Sequence, residues 1–462
     1  MRNRILRFHE AKYTGTLCQS KKTHYFCIEN FADMVYVFLC FYTLIYVCLV
    51  IPVFCIGALF NAKMREGLIG RITQPKRIRR FAKENAGQDI VFFHSASVGE
   101  WEQSIQIIKA LKKTHPDLKI VASFFSPSGM NHGRKDDVDL SIYLPFDVCI
   151  TNYLFFKRLK PKAWVIAKYD VWPGILMAAH WSKVPVLLCS AELAEDSARY
   201  KGLNAVINRL FYKYIQYILP VSEDYKQRFL NIFPFEDRLE VVGDARYDQI
   251  IAKAEAVMLQ PDVELFENPL PITFIGGSLW PADEKHLFPA LLRVFKEHDN
   301  LQLILVPHEL HETHIQAIEQ TFRQEGIETQ RYTDFVNTQS GKTACRVAIV
   351  NTIGMLAKLY KNTDIAYVGG AFSTGVHNVA EPSAFGNPVI YGPKHVNSFE
   401  AMQLKKIAGG FPISNEKECY EILSKLVDNE QFRKEAGQKN HDFLYASKGA
   451  SEKIVKRLLE FL

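Results

Sequence analysis

The chain has 462 residues, 48% of them hydrophobic and 23% charged, which is enough for two ordinary globular domains and too apolar for a disordered chain. Its formal net charge of +6 is a modest basic excess that fits anionic substrates or an anionic surface and does not read as a nucleic-acid protein. The nine cysteines form no CxxC pair, and Cys40, Cys48 and Cys55 lie within an apolar run, so neither a zinc site nor a disulfide framework is expected.

Residues 1–33 show no periodicity and read as an extension upstream of Met34. From Met34 to Phe60 the sequence MVYVFLCFYTLIYVCLVIPVFCIGALF carries no charge, and it exceeds the roughly twenty apolar residues that cross a bilayer core. Pro52 is tolerable in such a helix, where neighbouring groups satisfy the freed carbonyl. The run is longer than a signal-peptide core and no A-x-A pattern follows it, so a retained anchor is expected. Lys63, Arg65, Arg71, Lys76, Arg77, Arg79, Arg80 and Lys83 follow, against Lys21 and Lys22 shortly before. That asymmetry places the large C-terminal part in the cytoplasm and lets the basic stretch meet anionic headgroups.

Strand and helix patterns begin near Asp89. DIVFFH, KIVASFF, AWVIAKY, VPVLLCS, YILPVS and LEVVGD alternate with amphipathic stretches, then PITFIGGS, LQLILVP, RVAIVNT, IAYVGG, PVIYGP and GGFPIS repeat the arrangement. Parallel sheets wrapped by helices give this alternation, so an α/β chain of two Rossmann-like domains is predicted. The boundary falls in the connection from about Ala245 to Pro271, dividing the chain into 61–250 and 251–462. No G-x-G-x-x-G follows the first strand of either domain and no P-loop occurs, which removes the usual dinucleotide and NTPase signatures.

In open parallel sheets, ligands sit beyond the carboxyl ends of strands. His94-Ser95-Ala96-Ser97-Val98-Gly99-Glu100 occupies such a place and opens a helix, where a carboxylate facing the cleft is a candidate general base. Ser97-x-x-Glu100 is equally a capping box. The helix dipole is expected to keep Glu100 ionised. His308, His311 and His314 lack the H-E-x-x-H spacing of a zinc site, and Asp136-Asp137-Val138-Asp139 reads as a surface turn, so no metal is expected.

His94 to Glu100 resembles the H-x-x-S-V-G-E segment of the 3-deoxy-D-manno-octulosonic acid (Kdo) transferases. Ser126-Pro127-Ser128-Gly129 is similar to their T-P-T-G, and Tyr143-Leu144-Pro145-Phe146-Asp147 to their Y-L-P-Y-D, in the same order. Gly369 to Pro393 (GGAFSTGVHNVAEPSAFGNPVIYGP) resembles the family's longest motif. The resemblance covers roughly nine-tenths of the chain and implies the GT-B fold, two Rossmann-like domains facing a cleft with an N-terminal membrane-anchor helix. It also implies an inner-membrane enzyme moving Kdo from CMP-Kdo to a lipid A precursor (lipid IVA) by inverting displacement, with no metal or other cofactor. Its partners are then CMP-Kdo, the lipid A precursor and the membrane lipid surface, and no nucleic acid.

Carried over, Glu100 deprotonates the acceptor. Lys168-Tyr169-Asp170-Val171-Trp172-Pro173 is similar to E-T-E-L-W-P with Lys168 in place of the first acid, where it would meet the donor's carboxylate or phosphate. Arg246 in Gly243 to Asp248 stands for a lysine that stabilises departing phosphate charge, a role a guanidinium performs bidentately. The resemblance assigns the nucleotide to Gly277 and Ser278, Pro307 and His308, Ile353, Gly354 and Met355, and Asn378, Val379, Ala380 and Glu381, with Glu381 accepting from ribose hydroxyls. Trp280 stands where the family has histidine. The competing readings are an anchored GT-B transferase using another nucleotide sugar, and a non-catalytic membrane-surface scaffold.

Overall fold

The computed structural model describes residues 34–132, 137–396 and 398–462. The extension 1–33 and Asp136 lie outside the described residues.

Met34–Phe60 is a helix long and apolar enough, by length and composition, to cross a membrane. A π turn at Tyr46–Val50 precedes Pro52, the local adjustment by which a membrane helix accommodates a proline. Most of its surface is apolar and open, but its first turns bury Val35 and Leu39 against the first domain. Tyr42 Oη donates to Asp147 Oδ2 at 2.7 Å. Packing onto the first sheet therefore begins well before Asp89.

The next helix, Ala62–Glu84, is capped by Asn61, whose side chain accepts from the N–H groups of Lys63 and Met64. Of its basic residues, Arg71 is buried and donates to the carbonyls of Leu144, Phe125 and Gly67 at 2.9, 2.9 and 3.0 Å. Gln74 bonds both the carbonyl and the N–H of Tyr143. One of the eight cations is thus a packing residue, while Lys63, Arg65, Lys76, Arg77, Arg79, Arg80 and Lys83 stay exposed.

The first sheet contains β1 (Ile90–Ser95), β2 (Lys119–Phe124), β3 (Leu140–Tyr143), β4 (Ala163–Ala167), β5 (Val186–Ala191) and β6 (Tyr217–Pro220). All pairings are parallel, in the order β3-β2-β1-β4-β5-β6. Their near-continuous apolar runs are buried on both faces, as parallel strands between helical layers must be. The second sheet contains β7 (Ile272–Leu279), β8 (Leu301–Pro307), β9 (Gln330–Arg331), β10 (Val347–Ile349), β11 (Ile365–Val368), β12 (Val389–Tyr391) and β13 (Gly410–Pro412). It too is parallel, in the order β13-β12-β11-β7-β8-β10-β9.

The first order reverses direction between β1 and β4 and the second between β7 and β11, with β9 placed outside β10 at the second sheet's edge. At such a switch point the flanking connections leave on opposite faces and open a crevice at the strand ends. The segments after β1 and β4 carry Glu100 and Lys168, while Ser278 lies at the end of β7 and Gly369 directly follows β11. Sheet topology, rather than any local pattern, makes these four neighbours in pairs.

The helix Ala245–Met258 joins the two sheets. Its N-cap Asp244 accepts from Arg246 N, and Asp248 accepts from the N–H groups of Gly449 and Ser451 at 2.7 Å each. The final helix, Ala450–Leu458, returns to the first sheet, burying Ile454, Val455 and Leu458 with Val91, Phe93 and Ile108.

Candidate functional site

On the first-domain side, His94 at the end of β1 is fully buried and holds Ser123 Oγ at 2.9 Å through Nδ1 and Asp170 Oδ2 at 2.8 Å through Nε2. Trp172 Nε1 donates to the other oxygen of Asp170 at 3.0 Å. These bonds tie the segment after β4 to the end of β1 across the switch point.

Glu100 lies in the first turn of the helix Val98–Thr114. Its Oε2 accepts from Ala96 N at 2.5 Å and Ser97 N at 3.2 Å, and Ser97 Oγ accepts from Glu100 N at 3.3 Å. The capping box is therefore formed. No hydrogen bond among the described residues reaches Oε1, so one carboxylate oxygen fixes the side chain and the other remains available. Glu100 is 6% exposed, and burial raises its pKa; Ala96 N–H opposes this, Asp170 adds to it, and His94 and Lys168 oppose it. Desolvation thus outweighs the hydrogen bond and the positive neighbours that favour the carboxylate.

Lys168 directly follows β4 with a φ of 61°, a left-handed conformation uncommon for a long side chain. Its Nζ is 3.4 Å from Glu192 Oε2, just beyond β5. Burial raises the pKa of Glu192 while Lys168 opposes the rise, and Glu192 Oε1 is buried without a hydrogen-bond partner. Sequence reasoning singled out Lys168 but not Glu192, because their adjacency depends on β4 pairing with β5.

Between the domains lies a cleft of about 530 Å³ whose walls include Arg246, Lys253, His377, Asn378, Glu381 and Glu400. Arg246 donates from Nε to Asp244 Oδ2 at 2.9 Å and from Nη2 to Asp244 Oδ2 at 2.6 Å and Glu400 Oε1 at 2.7 Å. Asp244 is fully buried and also accepts from Gln103 Nε2 at 3.1 Å. Asn378 Oδ1 accepts from Ala380 N at 3.1 Å, and Glu381 Oε1 is 3.4 Å from Lys253 Nζ. Val379 also lines the cleft, whereas Ala380 is buried behind it. Glu102, one helical half-turn beyond Glu100, is on its wall; Glu100 and Lys168 are not.

The remaining sequence-predicted nucleotide residues surround the second switch point and do not line this cleft. A side chain on Gly277 would come within 2.3 Å of Tyr360 Oη, and one on Gly369 within 2.1 Å of the Ser278 carbonyl, so both glycines permit protein-to-protein approach. Ser278 has a φ of 54°. Buried Asp283 accepts from Trp280 N, Tyr367 Oη and Gly370 N at 3.2, 3.0 and 2.8 Å, which engages the N–H of the second loop glycine.

Pro307 ends β8, and the ring of His308 stacks on Trp280 at 4.4 Å and on His377 at 4.5 Å. Trp280 Nε1 donates to His377 Nε2 at 2.8 Å. Burial and neighbouring His308 lower the His377 pKa, consistent with an accepting, neutral ring. Ile353 is 91% exposed, Gly354 turns with a φ of 87°, and Met355 immediately precedes the helix Leu356–Tyr360. Among the described residues no group of three or more His, Cys, Asp or Glu is arranged to hold a metal ion. His314 instead bonds Glu284 at 2.6 Å.

A family model described as 3-deoxy-D-manno-octulosonic-acid transferase matches residues 71–249. A 3-deoxy-D-manno-octulosonic acid transferase of Aquifex aeolicus is 28% identical over 356 residues, covering 76% of this chain and 90% of that protein. Those of Haemophilus influenzae and Chlamydophila psittaci are 23% and 24% identical, covering 80% and 89% of this chain and 87% and 95% of the relatives. Among solved structures, UDP-GlcNAc 2-epimerase from Neisseria meningitidis superposes with a TM-score of 0.52 at 15% identity, covering 80% of this chain and 100% of that one. Acinetobacter baumannii MurG does so with 0.51 at 14%, covering 81% and 99%. At these identities the structural likeness speaks to the fold alone.

Proposed function

We propose that this chain, which matches the 3-deoxy-D-manno-octulosonic-acid transferase family model over residues 71–249 and resembles curated transferases of that name along most of its length, moves Kdo from CMP-Kdo to a lipid A precursor in lipopolysaccharide biosynthesis. The fold is of the GT-B type, and we assign acceptor handling to 61–250 and CMP-sugar handling to 251–462. The observation that carries the reading is the convergence of Arg246, Asn378 and Glu381 on one interdomain cleft.

In the proposed reaction, an acceptor hydroxyl attacks the anomeric carbon of Kdo as the bond from that carbon to the CMP phosphate oxygen breaks. Glu100 Oε1 takes the hydroxyl proton while Oε2 stays on its two amides, so the base does not reorient during transfer. Its raised pKa brings the carboxylate nearer to the basicity such a transfer needs. Arg246 receives the charge building on CMP, and Lys168 meets the Kdo carboxylate or the phosphate, which is electrostatic stabilisation of the leaving group. Glu381 accepts from ribose hydroxyls, displacing Lys253. The apolar helix holds the enzyme at the cytoplasmic face of the inner membrane, where the acceptor resides.

Incubating the purified protein with CMP-Kdo and lipid A precursor tests this, with mass spectrometry of the lipid and chromatography of the nucleotide. The expected result is a mass gain of one or more Kdo units with matching CMP release. Unchanged lipid, or release of UDP from a UDP-sugar instead, overturns the assignment.

A further inference from the structure

A second cavity, of about 400 Å³, lies among the apolar helix, the helix Ala62–Glu84 and the helix Cys149–Leu159. Ile51, Ile78, Phe146, Leu154 and Phe155 are among the apolar side chains that make up its wall. The two polar side chains facing it from the inner side are already satisfied. Arg71 donates to three carbonyls, with its guanidinium over the rings of Phe54, Phe125, Tyr143 and Phe146, and Gln74 is paired with Tyr143. Neither asks for water, and an apolar cavity of this kind stays dry or takes an apolar guest.

Its edge has the opposite character. Arg79 and Arg158 both line the cavity and are exposed, and neither has a hydrogen-bond or ion-pair partner among the described residues. Two unpaired guanidiniums beside a carbon-walled pocket match a ligand that is apolar for most of its length and carries a phosphate at one end. The cavity is continuous with the apolar helix through Ile51, and Ile72 and Ile150 on its two other helices are 67% and 61% exposed. Apolar surface of that extent next to a membrane-length helix marks the bilayer side of the molecule.

We propose that this cavity binds one acyl chain of an anionic bilayer glycerophospholipid, whose phosphate is held by Arg79 and Arg158. The proposal rests on the membrane reading of Met34–Phe60. None of the cavity's residues lines the interdomain cleft, so this lipid is a resident of the fold and not the sugar acceptor. It fills the space between the anchor and the first domain, and it presses on Phe146 beside Asp147, the residue that accepts from Tyr42 and from the N–H groups of Gly174 and Ile175.

The test uses the full chain in mixed micelles of phosphatidylcholine and phosphatidylglycerol, followed by native mass spectrometry. The expected result is one retained phosphatidylglycerol per chain and no comparable retention of phosphatidylcholine. The double variant Arg79→Gln/Arg158→Gln should lower retention at least about tenfold. Leu154→Trp, which fills the cavity from a half-exposed wall position, should abolish it while leaving CMP binding unchanged. Equal retention of both lipids, retention insensitive to both variants, or displacement of the retained lipid by the lipid A precursor each overturns the proposal. If the full chain binds vesicles of neither composition, the membrane reading itself has failed and the site falls with it; vesicle binding without a retained lipid removes the site alone.

Discussion

Arg246 Nη2 lies 2.7 Å from Glu400 Oε1, an ion pair that joins the start of the connecting helix to the second-domain helix Phe399–Lys406. Asp244 holds the same guanidinium from a fully buried position and cannot withdraw, whereas Glu400, apart from Arg246, is steadied among the described residues by Ser398 Oγ at 3.1 Å. A phosphate approaching Arg246 therefore competes with Glu400. Glu400→Gln should tighten CMP by about three- to tenfold, up to about 1.4 kcal/mol, as read by calorimetry. Weaker or unchanged binding would show that Glu400 does not occupy the phosphate's place.

Glu100→Gln keeps an acceptor for Ala96 and Ser97 and so preserves the capping box. Turnover should fall by about a hundredfold or more, the usual contribution of a positioned base, with CMP affinity unchanged. Near wild-type turnover would return Glu100 to a purely structural role.

The raised Glu100 pKa also has a sign that can be measured. The folded state holds this proton more tightly than the unfolded chain, so between the ordinary glutamate value and the raised folded value the native state binds more protons. Stability from this group is complete below that window and is lost as pH rises through it. The difference in Tm between wild type and Glu100→Gln should shift in favour of the variant across the window, and wild-type turnover should rise there as the base ionises. A pH-independent difference in Tm would contradict the shift.

Lys168→Met removes the counter-ion of Glu192, leaving a largely buried carboxylate at a cost of about 1–3 kcal/mol. The double variant Lys168→Met/Glu192→Gln should recover most of that stability in urea unfolding. Turnover should remain low in both, because the cation offered to the donor is gone. Recovery of turnover together with stability would make Lys168 a packing residue only.

Glu381→Ala should weaken CMP by about 1.5–3 kcal/mol, the range for a hydrogen bond to a charged group. Its pair with half-exposed Lys253 is worth at most about 1 kcal/mol, so the variant should fold normally. An unchanged CMP dissociation constant excludes Glu381 from ribose recognition.

Tyr42→Phe removes one of three donors to buried Asp147 and should cost about 1.5–3 kcal/mol, seen as a lower Tm of the full chain in detergent. No change would mean that the anchor docks loosely and that its buried face contributes little.

The sequence by itself determined the apolar Met34–Phe60 helix, the alternation that builds two parallel sheets, and the Ser97/Glu100 helix start. These depend on a residue and its neighbours within a few positions, where hydrophobic periodicity and free backbone N–H groups act. The order of motifs likewise carried the family resemblance. Only the tertiary structure decided that Arg246 meets Glu400, that Lys168 meets Glu192, and that Asp283 engages Gly370 N–H. Each of those contacts joins segments far apart in the chain, and strand order and domain apposition set their distances. The same reason explains Arg71. One more cation in a basic run by sequence, it is buried because the helix Ala62–Glu84 lies against the loops after β2 and β3, where the carbonyls of Phe125 and Leu144 accept from its guanidinium.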